Sequence, residues 1–277
     1  MDKILSGKKV AIDIKDKIRK HTEELKASKK ALKVASILVG DDGGSIYYQN
    51  FQEKLAKDLG IEFQKIKLDW NISEERLKRE IEELNKDKEV NGIMLLLPLP
   101  KHIDERSITN LIDADKDLDC LSEISVGRFY KGEKTFIPCT PNSVITLLKA
   151  YNIEMEGREV VIVGRSNIVG KPLFQMFLKE NATVTLCHSK TRNLKEVCKR
   201  ADILVVAIGR AKFIDSSYVK EGAVVIDVGT SEVNGKITGD VNFEDVYEKA
   251  SYITKVPGGV GALTTTLLLK NLCKELD

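Results

Sequence analysis

The alternation of apolar segments predicts an α/β chain of two domains, the second a doubly wound parallel sheet. Three observations carry that prediction. Hydrophobic period switches repeatedly between strand-like and helix-like segments, the pattern of strands joined by crossover helices. The 277 residues are long for one compact core and comfortable for two. Third, EVVIVGRSNIVGKP, Glu159 to Pro172, reads as a buried strand, a glycine-bearing turn and a helix start.

Taken in order, the first helix is predicted over Lys8 to Lys26, where Val10, Ile14, Ile18 and Leu25 fall near one face. The strand LKVASILVG, Leu32 to Gly40, follows. A second helix, Ser45 to Leu59, stacks Phe51, Leu55 and Leu59 at spacings of four. Next come the strand IEFQKIKL, a helix from Ser73 whose first turn carries Glu74 and Glu75, and the apolar strand GIMLLL. Between Asp113 and Thr140 the periodicity loosens through DADKDLDCLS, a short GRFYKG hairpin and IPCTP. The boundary falls there, giving domains 1–139 and 140–263. The second half continues with a helix, Asn142 to Ala150, then strands EVVIVG, ATVTLCH, DILVVAIG and AVVIDVG. Helices over Lys171 to Glu180 and Asn193 to Arg200 separate the first three strands. A last helix, Thr264 to Glu275, follows a glycine loop, and the segment 264–277 is expected to pack back on the first domain.

Composition excludes several function classes. With 44 basic against 42 acidic side chains and no dense cationic block, no nucleic-acid partner is expected. The longest apolar run, Ile93 to Pro100, is far below the roughly 20 residues of a membrane span and holds two prolines. The amino terminus has no apolar leader, so the cytoplasm is expected. Five cysteines without a CxxC pair and three histidines predict buried free thiols and no metal centre.

In the opening turn, Gly164 suits a tight exit from the strand and Gly170 close packing at the helix start. Pro172 fits a first helical turn, where its missing N–H has no intrahelical partner. Exposed amides and the helix dipole then favour a diphosphate, as in a Rossmann-type fold. Ser166 replaces the usual second glycine and adds a hydroxyl. A purely structural strand-to-helix turn would use the same glycines. The end of the next strand weighs against that reading: His188-Ser189-Lys190-Thr191-Arg192 offers hydroxyls and cations where an NAD site usually has a carboxylate. That composition suits a 2′-phosphate, hence NADP.

The chain resembles the bifunctional methylenetetrahydrofolate dehydrogenase/methenyltetrahydrofolate cyclohydrolase (FolD) family along nearly its full length. The matching segments are VGDDGGSIYY, LPLPKHID, DKDLD, FIPCTP, VVIVGRSNIVGKP, ATVTLCHSKT, AVVIDVGT, GDVNF and VPGGVGALT, in the family's order. The resemblance implies two α/β domains flanking a cleft, NADP in the second, a folate substrate in the cleft, and a homodimer. It also implies that Gly164, Arg165, Ser166 and Ser189 hold the cofactor phosphates and that Thr230 lies near the nicotinamide. Pro257, Gly258 and Gly259 are expected along the folate, and Asp119 at the pterin edge.

The match breaks at one helix and one strand end. The family runs from a tyrosine to a lysine four residues on; Tyr48 fits as a catalytic and substrate-binding residue, but the lysine position is Gln52. Lys54 is no substitute, because six residues carry it roughly 120° round the helix from Tyr48. The family's glutamine before LPLP is Leu96, and Cys120 and Ser143 stand where the family usually has glycine. Oxidation of the carbon bridging N5 and N10 needs alignment with the nicotinamide and no side-chain base. Hydrolysis needs water deprotonated and a nitrogen protonated, and a positioned acid/base typically supplies about 10²–10⁴ in rate. Gln52 exchanges no proton and Leu96 makes no hydrogen bond. The expected activity is therefore an NADP-dependent methylenetetrahydrofolate dehydrogenase with weak or lost cyclohydrolase. The alternatives are a fully bifunctional enzyme and a non-catalytic folate or nucleotide binder.

Overall fold

The computed structural model describes residues 3–233, 235–273 and 276. The chain begins with β1 (Ile4–Leu5), α1 (Gly7–Ala27), β2 (Lys33–Val39), α2 (Gly43–Asp58), β3 (Glu62–Leu68), α3 (Glu74–Lys86) and β4 (Gly92–Leu95). Helices α4 (Glu105–Thr109), α5 (Glu123–Lys131) and α6 (Cys139–Ala150) lead to β5 (Glu159–Val163), α7 (Gly170–Lys179), β6 (Thr183–Cys187), α8 (Leu194–Cys198) and β7 (Ile203–Val206). The remainder is β8 (Val224–Asp227), β9 (Ser231–Val233), β10 (Lys236–Thr238), α9 (Phe243–Val246), β11 (Tyr252–Thr254) and α10 (Val260–Asn271). Among the described residues no helix is long and apolar enough to cross a membrane.

Two compact units result. One comprises Asp13–Ile137 and the chain from Leu268 onward; the other comprises the residues up to Ile12 and Pro138–Leu267. In the first, β3-β2-β4 form a parallel sheet, with Lys33 opposite Glu62 and Val34 opposite Gly92. Helix α3 shows how local sequence builds this unit. The Ser73 hydroxyl accepts the Arg76 N–H, Glu74 and Glu75 face the positive end of the dipole, and Leu77, Ile81 and Leu84 are buried at successive turns. They pack with Ile37, Val39, Ile93 and Leu95 in one core.

The other unit holds a six-stranded, wholly parallel sheet in the order β1-β11-β8-β7-β5-β6, and a separate antiparallel β9–β10 pair. Strands β7 and β8 are buried along their whole length, as expected where helices cover both faces. Val161, Leu204, Val225 and Ile253 are among the core residues.

Three readings differ from the sequence expectation. GRFYKG is part of helix α5 and forms no hairpin: the Ser122 hydroxyl caps the start, Ser125 and Phe129 bury one face four residues apart, and Gly132 closes the helix at φ 73°. Strand β1 joins the large sheet by pairing Ile4 with Ile253 and Leu5 with Thr254, so the amino terminus groups with the second half. Helix α10 starts four residues earlier than Thr264 and ends at Asn271; Lys274 and Glu275 of the expected helix lie outside the described residues. The part from Leu268 groups with the first half, where the Asn271 amide donates to the Leu118 and Ile137 carbonyls.

Candidate functional site

The candidate cofactor residues follow the carboxyl ends of β5, β6 and β8. Gly164 leaves β5 at φ 132°, and a β-carbon there would lie 2.2 Å from the Ala207 carbonyl oxygen. Only glycine fits that approach. At Gly170 a β-carbon would lie 2.0 Å from the Gly164 carbonyl oxygen, so the turn closes on itself at the helix start. Ser166 fastens it: its hydroxyl oxygen accepts the N–H groups of Val169 and Gly170 at 3.2 and 3.4 Å, and its carbonyl accepts that of Lys171. The helix-start amides expected to face an anion are therefore already used. Available instead are the amides of Arg165, Ser166, Asn167 and Ile168, which have no internal acceptor among the described residues. Four free amides on an exposed turn, at the carboxyl edge of a parallel sheet, suit the diphosphate of a dinucleotide.

Beside the turn is a hollow of about 310 Å³, lined by Gly164, Arg165, His188, Ser189, Arg210 and Phe213 among others. The loop after β6 is ordered by its own bonds: His188 N–H donates to the Thr191 hydroxyl, and His188 Nδ1 accepts the Lys190 N–H. With Nδ1 accepting, a neutral imidazole carries its proton on Nε2. Ser189 is exposed next to it.

Thr230 is exposed just past β8, in a region braced by two buried aspartates to which the sequence reading gave no role. Asp227 accepts N–H groups from Gly229, Asp240 and Val241 at 3.0, 3.0 and 2.9 Å. Asp240 accepts those of Ile208, Gly209 and Arg210 at 2.7, 3.0 and 2.6 Å. Burial pushes the Asp227 carboxyl up to about 6, and the neighbouring Asp240 charge adds to the rise. The pair ties the ends of β7 and β8 together. An acidic residue closing a buried strand (DVG) and another after a glycine (GDV) were the available signals; only the fold brings them together. In the same unit, the Gly258 carbonyl accepts the Lys8 N–H at 3.4 Å, which joins the Pro257–Gly259 loop to the start of α1.

The residues assigned to hydrolysis sit in the other unit. Helix α2 lies on β2, with Gln49 Nε2 donating to the Ser36 carbonyl at 2.9 Å. One turn on, Gln52 is 1% exposed and its Oε1 has no hydrogen-bond partner, whereas Lys54 is exposed. Tyr48 is 36% exposed. Leu96 N–H donates to the carbonyl of Ile37, so adjacent residues of β2 hold Leu96 and Gln49, the latter one turn before Gln52. The DLD segment runs alongside β4: Asp117 bridges Ile93 and turns its buried carboxylate back to the N–H groups of Leu121 and Ser122. Asp119, two residues on, is only half-buried. Cys120 follows at φ 56°, which accounts for the family's glycine there, and burial pushes its thiol up to about 12. Ser143, in the cofactor-side unit, donates to the Cys139 carbonyl at 2.8 Å and contacts the Thr264 hydroxyl at 3.2 Å. All five cysteines are free and buried.

Comparison with known proteins fits this division of chemistry. Residues 5–119 match the family model of the tetrahydrofolate dehydrogenase/cyclohydrolase catalytic domain, and residues 138–277 that of its NAD(P)-binding domain. The bifunctional protein FolD of Clostridium perfringens (strain SM101 / Type A) is 86% identical over the full length of both chains. The crystal structure of the bifunctional FolD enzyme from Campylobacter jejuni is 42% identical, with a TM-score of 0.96 over 98% of this chain and 97% of that one. The Trypanosoma brucei FolD, solved with NADP cofactor and an inhibitor, is 33% identical, with a TM-score of 0.93 over 98% and 95% of the two chains. The two matched domains and the relatives' full-length coverage establish that this chain is an enzyme of the tetrahydrofolate dehydrogenase/cyclohydrolase family.

Proposed function

We propose that the enzyme oxidises 5,10-methylenetetrahydrofolate to 5,10-methenyltetrahydrofolate with NADP, and that the Arg165–Ile168 amides hold the cofactor diphosphate. The carrying observation is the turn whose four amides have no internal acceptor, at the carboxyl edge of the parallel sheet. NADP, when bound, supplies the two-electron acceptor. In this reading Arg165 neutralises phosphate and Ser189 donates a hydrogen bond to it, Thr230 flanks the nicotinamide, and Pro257, Gly258 and Gly259 line the folate. Tyr48 and Asp119 orient the pterin. The segment around residues 13–137 is the folate domain and 138–267 the NADP domain. The NADP complex of the Trypanosoma brucei relative supports the choice of cofactor.

For the hydrolysis that follows, the relatives named bifunctional support an enzyme competent in both steps. A second reading, weak or lost cyclohydrolase, is favoured by one observation: Gln52 is buried with an unpartnered oxygen and Leu96 is apolar, so neither moves a proton. Purified protein assayed for both steps decides between them. Methenyltetrahydrofolate hydrolysis keeping pace with its formation upholds the bifunctional enzyme; hydrolysis slower by about 10²-fold or more upholds the second reading. In the latter case Gln52→Lys with Leu96→Gln should restore it, because a lysine at so buried a position has its pKa drawn down toward a working base. Tight cofactor binding with no change in nicotinamide absorbance would instead favour a non-catalytic binder. Location in the cytoplasm accords with the free, buried thiols. The family resemblance supports a homodimer, which a monomer in sedimentation at assay concentration would exclude.

A further inference from the structure

We propose that Arg210 is a specificity-determining residue of the cofactor site, a second guanidinium that meets the 2′-phosphate of the dinucleotide opposite Arg165. The inference rests on the dinucleotide reading above and adds to it a residue which that reading does not include. In the sheet, β5 lies between β6 and β7. The loops after β6 and β7 therefore approach the Gly164 turn from opposite sides. The hollow beside that turn is lined from one side by His188 and Ser189 and from the other by Arg210, with Arg165 from the turn itself.

Two features fit Arg210 for a fixed role there. Its backbone N–H donates to Asp240 Oδ1 at 2.6 Å, which anchors the main chain through a buried carboxylate. Its guanidinium carbon lies 4.4 Å from the centre of the Phe213 ring, close enough for a cation–π contact that restrains an otherwise mobile side chain. Charge supplies the third argument. Neither Arg165 nor Arg210 forms an ion pair among the described residues, although other surface cations of the same unit, such as Lys199, Arg200 and Lys220, each have a carboxylate. Two unneutralised guanidiniums lining one hollow repel each other and call for a ligand with two negative charges. A phosphate monoester provides these, in a shape that the planar fork matches. The diphosphate does not compete for them, because the Arg165–Ile168 amides serve it.

The test uses calorimetry on the full chain, with adenosine 2′,5′-bisphosphate and adenosine 5′-diphosphate as probes and circular dichroism as the folding control. The wild type is expected to bind the 2′,5′-bisphosphate more tightly. Arg210→Met should weaken that ligand at least tenfold while changing 5′-diphosphate binding less than twofold, and Arg210→Lys should recover part of the loss. An unchanged 2′,5′-bisphosphate affinity in Arg210→Met overturns the proposal. So does an equal loss for both ligands, which would assign the side chain to the base or the diphosphate. A wild type that does not distinguish the two probes would overturn the NADP reading itself, and this proposal with it.

Discussion

Replacing Asp240 by alanine tests how much of the cofactor side is held by one buried carboxylate. The side chain accepts three backbone N–H groups, at 2.7, 3.0 and 2.6 Å, from the consecutive residues Ile208, Gly209 and Arg210. Hydrogen bonds to a charged group contribute about 1.5–3 kcal/mol each, so the gross loss is roughly 5–9 kcal/mol. Two effects reduce it. The three donors are only partly buried and regain water when the carboxylate is gone. Removing a negative charge also relieves Asp227, whose carboxyl the Asp240 charge helps to raise. A net cost of about 3–5 kcal/mol follows. Asp240→Asn keeps one acceptor oxygen but turns an amide donor toward an N–H, for a cost of about 1–3 kcal/mol. Urea unfolding followed by far-UV circular dichroism measures both, since the single tryptophan, Trp70, belongs to the other unit and does not report on this one. An alanine variant within 1 kcal/mol of wild type would refute the reasoning.

Two further outcomes are expected. Asp227 is raised from the ordinary 3.8 to about 6, mainly by burial, so between those values the folded chain holds a proton that the unfolded chain has released. Its contribution to stability is thus complete below about pH 4 and falls as pH rises to about 6, by a total of about 3 kcal/mol. The stability difference between wild type and Asp227→Asn, measured by denaturation at pH 4.5 and pH 7, should shrink with rising pH; a difference independent of pH would contradict this. Gly164→Ala must accommodate a β-carbon 2.2 Å from a backbone oxygen at φ 132°. It should cost about 2–5 kcal/mol of stability and raise KM for NADP at least tenfold, whereas unchanged cofactor kinetics would remove the turn from the binding site.

Much of this protein is legible in one dimension, because the relevant forces are local. Buried runs such as EVVIV and ILVV announce parallel strands; Ser73 followed by Glu74 and Glu75 announces a helix start; Gly164 and Gly170 mark a turn that no side chain could occupy. The absent lysine at Gln52 and the apolar Leu96 are equally plain, since they depend on residue identity alone. Weakly signalled elements were decided by tertiary contacts. Strand β1 has two residues, too few for any periodicity, and exists because β11 offers it an open edge. The GRFYKG segment carries both turn-like glycines and a helical face, and the burial of Phe129 resolves that conflict in favour of helix. The free amides of the Gly164 turn, the pairing of Asp227 with Asp240 and the placing of Arg210 beside Arg165 depend on groups far apart in sequence. Sequence by itself determined which residues were available to do chemistry. The fold alone decided which amides and charges remain unsatisfied, because that depends on every neighbour the packed chain brings within hydrogen-bonding distance.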